Sequence, residues 1–130
     1  MNPKELIINT LKRMNFSPEF DEDGDIKIHY QLKTIYIMNS DDEPFVSMIF
    51  PQFYQIEPEM DGLTLAICNK MTREMKLVKV FVDQSFENVS AACEFFYVNE
   101  ESLENNIHKA LTMLGVVRTI FKKYMDDFSD

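Results

Sequence analysis

The stretch that decides the fold is residues 77–128, LVKVFVDQSFENVSAACEFFYVNEESLENNIHKALTMLGVVRTIFKKYMDDF. In residues 77–83 and 89–98 apolar side chains recur at every second position, which predicts two β-strands. In residues 100–127 the apolar side chains recur three and four positions apart, which predicts one long amphipathic helix with Asn99 as its N-cap. The pattern therefore predicts a two-faced antiparallel ribbon with a helix laid across it.

Upstream of this stretch, period-two alternation predicts three more strands, near residues 26–30, 34–38 and 45–50. Acidic and glycine-containing turns separate them, and connections this short permit only antiparallel pairing. Residues 52–61 are predicted to be a connection, because Pro51 and Pro58 flank or interrupt them.

Helical spacing predicts two further helices. The first begins at Pro3 with Asn2 as its N-cap, and the second covers about residues 62–75. The predicted order is α-β-β-β-α-β-β-α, an α+β fold with a five-stranded antiparallel sheet in a single domain of residues 1–130. Gly115 lies inside the last helix, where we expect it to allow close approach of a neighbouring element.

The charge balance bears on the class of partner. The chain of 130 residues carries 13 basic and 22 acidic residues, for a net charge of −9. Neutralising phosphates requires clustered Lys and Arg, so we expect neither nucleic acid nor an anionic membrane surface as a partner. An acidic surface suits solubility or a basic protein partner.

The chain shows no N-terminal signal segment and no apolar run of about 20 residues, as a membrane helix requires. Cys68 and Cys93 are too few for a disulfide framework, and both lie in predicted helix or strand. We expect two reduced core thiols in a cytoplasmic protein, with a single Cys68–Cys93 bridge as the alternative.

Residues for catalysis or cofactor binding are sparse. His29 and His108 lie on polar faces without a nucleophile at a pairing distance in sequence, and the three glycines are scattered. The run at residues 21–25 resembles the start of a calcium loop, but Ile26 and Leu32 occupy the sixth and twelfth positions. The cysteines and histidines lack the close pairing of zinc sites. We therefore predict no enzyme, no cofactor and no metal.

The sequence features that do point to a function are apolar residues at predicted surface positions. Several apolar residues lie opposite the main apolar faces of the strands, so three helices leave one sheet face incompletely covered. The nine methionines suit either an irregular core or an adaptable binding surface. The candidate interaction surface comprises Tyr36, Met38, Phe45, Ile49, Met71, Met75 and Phe81.

Residues 65–83, LAICNKMTREMKLVKVFVD, resemble the YbjN-type bacterial domains, which are labelled sensory transduction regulators. In those domains an apolar helix carries an Asn, here Asn69, and leads into an apolar strand ending in Asp, here Asp83. The order of elements is similar to the type III secretion chaperone-like fold. The resemblance implies a non-enzymatic cytoplasmic protein. It also implies a dimer that holds an extended segment of another protein, and it supplies no catalytic residues.

Two hypotheses follow. The first is a protein-interaction module, chaperone-like or regulatory, that forms a homodimer and binds a segment of another polypeptide through exposed apolar surface. The alternative is a small-molecule sensor with a pocket between the sheet and the second helix, around Cys68, Met71 and Phe81.

Overall fold

The computed structural model describes residues 2–129. The elements in chain order are α1 Pro3–Arg13, β1 Glu19–Phe20, β2 Ile26–Tyr30, β3 Lys33–Asn39, β4 Phe45–Gln55, α2 Asp61–Glu74, β5 Val78–Val82, β6 Asn88–Phe96 and α3 Glu100–Phe128.

Both predicted helix caps form. The Asn2 side chain accepts a hydrogen bond from the backbone N–H of Glu5 at 2.8 Å, which satisfies one of the free donors at the start of α1. At the start of α3, Asn99 accepts from the N–H of Ser102, and the Ser102 hydroxyl accepts from the N–H of Asn99. This reciprocal capping box starts the longest helix of the fold at a defined residue.

All the strands pair antiparallel in one sheet of six, in the spatial order β1-β2-β3-β4-β6-β5. The predicted count of five is wrong, because the two-residue strand β1 pairs with Ile26 and Lys27 at the edge of the sheet. Both residues of β1 are exposed, so no alternation of burial marks them in the sequence.

Strand β4 is longer than predicted and continues past Pro51 to Gln55. A proline cannot donate to the ladder, but here it lies where the register between β4 and β6 shifts, between Phe50 and Tyr54. Gln52, in the same irregularity, has a φ of 49°, and its N–H donates to the Ser90 hydroxyl at 2.8 Å. The proline therefore marks a bulge rather than the end of a strand.

The three helices lie on one side of the sheet and form a two-layer structure with it. One buried cluster joins the inner faces of the helices with alternate residues of the strands, such as Ile35, Met48, Val80 and Cys93. Helix α3 contacts α1, α2 and the neighbouring strands β4 and β6. At Gly115 an added Cβ would lie 3.1 Å from the Tyr30 ring, which confirms the expected close approach.

Helix α2 covers the outer edge of β5. The Thr72 hydroxyl accepts from the N–H of Val80 at 2.8 Å and donates to its carbonyl at 3.2 Å, so it replaces a neighbouring strand. Two turns earlier on the same helix, Thr64 is fully buried, and its hydroxyl has no hydrogen-bond partner among the described residues. The same side-chain type thus stabilises one end of α2 and carries a desolvation cost at the other.

The same substitution at these two positions is expected to have opposite effects. Thr64→Val removes an unpaired buried hydroxyl and should raise the free energy of unfolding by about 1 kcal/mol. Thr72→Val leaves both backbone groups of Val80 without a partner and should lower it by about 1–2 kcal/mol. Urea denaturation of the two variants and the parent chain measures both changes, and a shift of the same sign in both would contradict this account of α2.

Candidate functional site

The side of the sheet opposite the helices carries an apolar surface, which we call the open face. The register places side chains of neighbouring strands side by side, as in the row Tyr36, Ile49 and Ala92, and the pair Phe45 and Phe96. Within residues 2–129 no helix packs on this side. The apolar members of the open face are Tyr36, Met38, Phe45, Ile49, Phe81, Ala92 and Phe96.

Five residues of the sequence-predicted surface are brought together here. Tyr36, Phe45, Ile49 and Phe81 are half-buried, and Met38 is 39% exposed. Their partial burial comes from neighbours on adjacent strands, since none of them belongs to the core cluster or packs against it. Cross-strand contact between side chains of one face is the normal source of such burial.

Met71 in α2 and Met75 at its C-terminal end are not part of the open face. Met71 is 0% exposed and sits in the core, so its inclusion in an interaction surface is wrong. Met75 follows the end of α2, is half-buried and packs against the core. Helical spacing places both on the inward stripe of α2, and an inward thioether fills space between helix and sheet.

Sequence reasoning missed Phe96, whereas Ala92 faces the same side of the sheet but is only 2% exposed. Phe96 is 62% exposed, and its ring lies 5.1 Å from that of Phe45 on the neighbouring strand. Strict alternation along β6 places Phe95 in the core and therefore Phe96 on the opposite side, so the signal was present in the sequence. The consecutive aromatic residues obscured it.

Charges on the open face are few and paired. Lys79 of β5 and Glu94 of β6 form a salt bridge at 2.8 Å, and Lys27 lies 3.7 Å from Glu19 at the far edge. Because these pairs offset one another, the centre of the face has little net charge although the chain carries −9. Depletion of unpaired charge around apolar and aromatic side chains is typical of the core of an interface.

A groove adjoins the end of β6. Pairing with β5 ends at Cys93, so residues 94–96 have β4 on one side and no strand on the other. The Phe96 carbonyl accepts from the Asn106 side chain of α3 at 3.0 Å. The groove has a volume of about 490 Å³ and is lined mainly by apolar residues, among them Leu77, Phe95, Phe96, Ala110 and Met113.

The pocket predicted around Cys68, Met71 and Phe81 does not form. Cys68 and Met71 are buried in the core beneath α2, whereas Phe81 points to the opposite side of β5. Burial raises the pKa of the Cys68 thiol to about 11, and burial also raises the pKa of the Cys93 thiol. Both thiols are free, so the alternative of a Cys68–Cys93 bridge is wrong.

The acidic run at residues 21–25 and the two histidines were the other candidates for chemistry. The carboxylates of Asp21, Asp23 and Asp25 lie within 4.8 Å of one another, and Asp21 accepts from the N–H groups of the other two. These bonds shape the turn into β2. His29 lies on the surface 3.6 Å from Glu19, and His108 is exposed on α3.

Among residues 2–129, helices of the length and apolar character needed to span a bilayer do not occur.

Comparison with known proteins identifies the fold. No family model and no curated protein matches the sequence. Among solved structures, YbjN from E. coli superposes with a TM-score of 0.68 at 11% identity, covering 92% of this chain and 89% of that one. The ExsC–ExsE complex superposes with a TM-score of 0.62 at 12% identity, covering 90% of this chain and 91% of that one.

The Yersinia pestis type III secretion chaperone SycH, solved with a fragment of YscM2, gives a TM-score of 0.56 at 6% identity, with 88% and 98% covered. The chain therefore has the YbjN-like, type III secretion chaperone-like fold that the sequence predicted. The fold class is α+β with three helices and a six-stranded antiparallel sheet.

Packing of the thiols predicts slow alkylation. A thiol with a pKa of about 11 is ionised to about one part in a thousand at pH 8, and the thiolate is the reactive form. We expect iodoacetamide to label Cys68 in the folded protein at least about 100-fold more slowly than in urea, where the pKa returns to about 8.5. Mass spectrometry of the labelled peptide measures the rate, and fast labelling in the native state would contradict the closed packing beneath α2.

Proposed function

We propose that the chain is a single-domain, non-enzymatic protein-interaction module that binds an extended segment of another polypeptide. The observation that carries this proposal is the open face, an apolar sheet surface without a covering helix among the described residues. Apolar side chains concentrated on one uncovered face favour contact with another molecule over contact with water.

The end of β6 suits an extended segment. Residues 94–96 lack a neighbouring strand on the β5 side, so a segment laid there can hydrogen-bond to the backbone of β6. Its alternate side chains would point to the open face on one side of the sheet and into the groove lined by Leu77 and Met113 on the other. Phe96 contributes to both surfaces and would lie at the centre of the contact.

The comparisons support a protein partner. Two of the similar structures are complexes with another protein, ExsC with ExsE and SycH with a fragment of YscM2. The neighbours are chaperones and regulators rather than enzymes, in keeping with a non-enzymatic role. The two free buried thiols favour a reducing compartment such as the cytoplasm.

Site-specific photo-crosslinking tests the proposal. A photoreactive phenylalanine analogue replaces Phe96 in one variant and Val116 in a control variant, whose side chain is 46% exposed on α3. In the native cells of the protein, we expect the probe at position 96 to form discrete adducts with another polypeptide and the probe at 116 to form none.

Phe45→Ser, placed in the chain that carries the probe at 96, should weaken those adducts, because the Phe45 ring packs at a tilt beside that of Phe96. Adducts of equal strength from both probe positions, or none from position 96, would contradict the proposal.

We also propose a homodimer, formed through a second apolar patch. Leu65 of α2 is 55% exposed and Phe86 of the β5–β6 turn is 79% exposed, and together with Ile56 and Val82 they border a cavity of about 170 Å³. This patch lies at the opposite end of β5 from Leu77 and leaves the open face free for a partner. Asp61 also lines this cavity, and in a two-fold assembly the exposed apolar side chains would meet the same patch of the second copy.

Replacing Leu65 with Asp should convert the dimer to a monomer, because the interface would then bury a carboxylate without a partner. Sedimentation velocity at micromolar concentration measures the change. Val116→Asp is the matched control, since it adds the same charge at an exposed apolar position of α3 and should leave the dimer intact. A wild-type protein that sediments as a monomer would refute the homodimer directly.

A further inference from the structure

The apolar residues of the open face are not equally exposed. At the end where β3, β4 and β6 meet the β3–β4 loop, its most exposed apolar residues lie together. Phe96 and Met38 are 62% and 39% exposed, and Phe45 lies between them because it pairs with Phe96 while its neighbour Ser47 pairs with Met38. Val98, just beyond β6, is 88% exposed. We call these four residues the apolar end patch.

Acidic residues border this patch. The β3–β4 loop contains Asp41, Asp42 and Glu43, and the carbonyl of Glu43 accepts from the N–H of Phe45 at 2.8 Å. The loop also touches the approach to α3, where the carbonyl of Pro44 accepts from the N–H of Tyr97 at 2.9 Å. The β3–β4 loop and the first turn of α3 therefore flank the same patch.

The carboxylates of the loop have few partners: Asp41 accepts a hydrogen bond from the Asn39 side chain at 3.4 Å. Asp41, Asp42 and Glu43 are exposed, and within residues 2–129 none of them forms a salt bridge. Two cations at this end of the molecule are already engaged, whereas Lys109, which lines the groove beside Phe96, forms no salt bridge among residues 2–129. Arg13 pairs with Glu100 and Glu104, and Lys79 pairs with Glu94.

We propose that the segment bound at the apolar end patch is cationic, with apolar side chains seated on Phe45 and Phe96 and Lys or Arg side chains beside Asp41, Asp42 and Glu43. This inference rests on the proposed function and adds the chemistry of the partner. Apolar contact supplies the attraction, and the unpaired carboxylates select the sign of charge. A second copy paired through the same patch is a poor occupant, since a two-fold contact would bring its own Asp41, Asp42 and Glu43 towards this acidic rim.

Synthetic peptides of matched length test the inference. In one peptide lysine alternates with phenylalanine and valine, in the second glutamate replaces every lysine, and in the third serine replaces every apolar residue of the first. Fluorescence anisotropy with labelled peptides measures their affinity for the wild-type chain. We expect the cationic apolar peptide to bind at least about tenfold more tightly than either of the others. Its affinity should fall about fivefold between about 0.05 M and 0.3 M NaCl.

Two variants that neutralise equal charge separate a local effect from the overall acidity. Asp41→Asn, Asp42→Asn and Glu43→Gln are combined in one chain, and Glu57→Gln, Asp126→Asn and Asp127→Asn in the other. The second set includes the far end of α3, which spans about 40 Å at about 1.5 Å per residue. The first variant should bind the cationic peptide about tenfold more weakly than the wild-type chain, and the second less than about twofold more weakly. Far-UV circular dichroism verifies that both variants are folded.

Three results would overturn the inference: equal affinity for the anionic and cationic apolar peptides, equal loss in the two variants, or no binding of either apolar peptide. Equal affinity for both signs of charge would leave an apolar binding site without charge selection. Crosslinking from position 96 reports on the proposed function independently, so adducts there together with charge-blind peptide binding would refute only the cationic partner.

Discussion

The structure depends on one constraint: every strand has two faces, and all three helices lie against the same one. The core forms where helix α3 packs on the neighbouring strands β4 and β6, and alternate residues of each strand are buried there. The other residues of the same strands must then face away from the helices. Because several of those are Tyr, Phe, Ile and Met, the packing that stabilises the core also creates the open face.

Local signals predicted most of the fold. The caps at Asn2 and Asn99, the alternation in β2 to β6 and the apolar stripe of α3 arise from neighbouring residues, and the structure bears them out. Strand β1 escaped prediction because its existence depends on pairing with β2 rather than on its own pattern. The continuation of β4 through Pro51 depends on a bulge against β6, which is equally a long-range feature.

The candidate site was predictable to a lesser degree. Strand periodicity assigned Tyr36, Met38, Phe45, Ile49 and Phe81 to the side away from the core, and they lie there. The prediction for Met71 was wrong because it rested on the methionine content, although helical spacing places Met71 on the inward stripe of α2, where it is buried. The unpaired end of β6 could not be predicted from the sequence, because it depends on where β5 begins.

Two exposed apolar residues in turns are not explained by the stability of the isolated chain. Leu77 and Phe86 both have a φ of 62°, in the left-handed region where Gly and Asn fit with least strain, and both are highly exposed. A bulky apolar residue there costs free energy through backbone strain of about 1 kcal/mol or more and gains little from burial. Leu77 lines the groove beside β6, and Phe86 borders the cavity near Leu65. Leu32 in the β2–β3 turn has a φ of 66° and is fully exposed without belonging to either proposed interface. For Leu77 and Phe86, a partner that covers the side chains would recover the burial that the isolated chain forgoes, which gives these two strained turns and the two proposed interfaces one physical explanation.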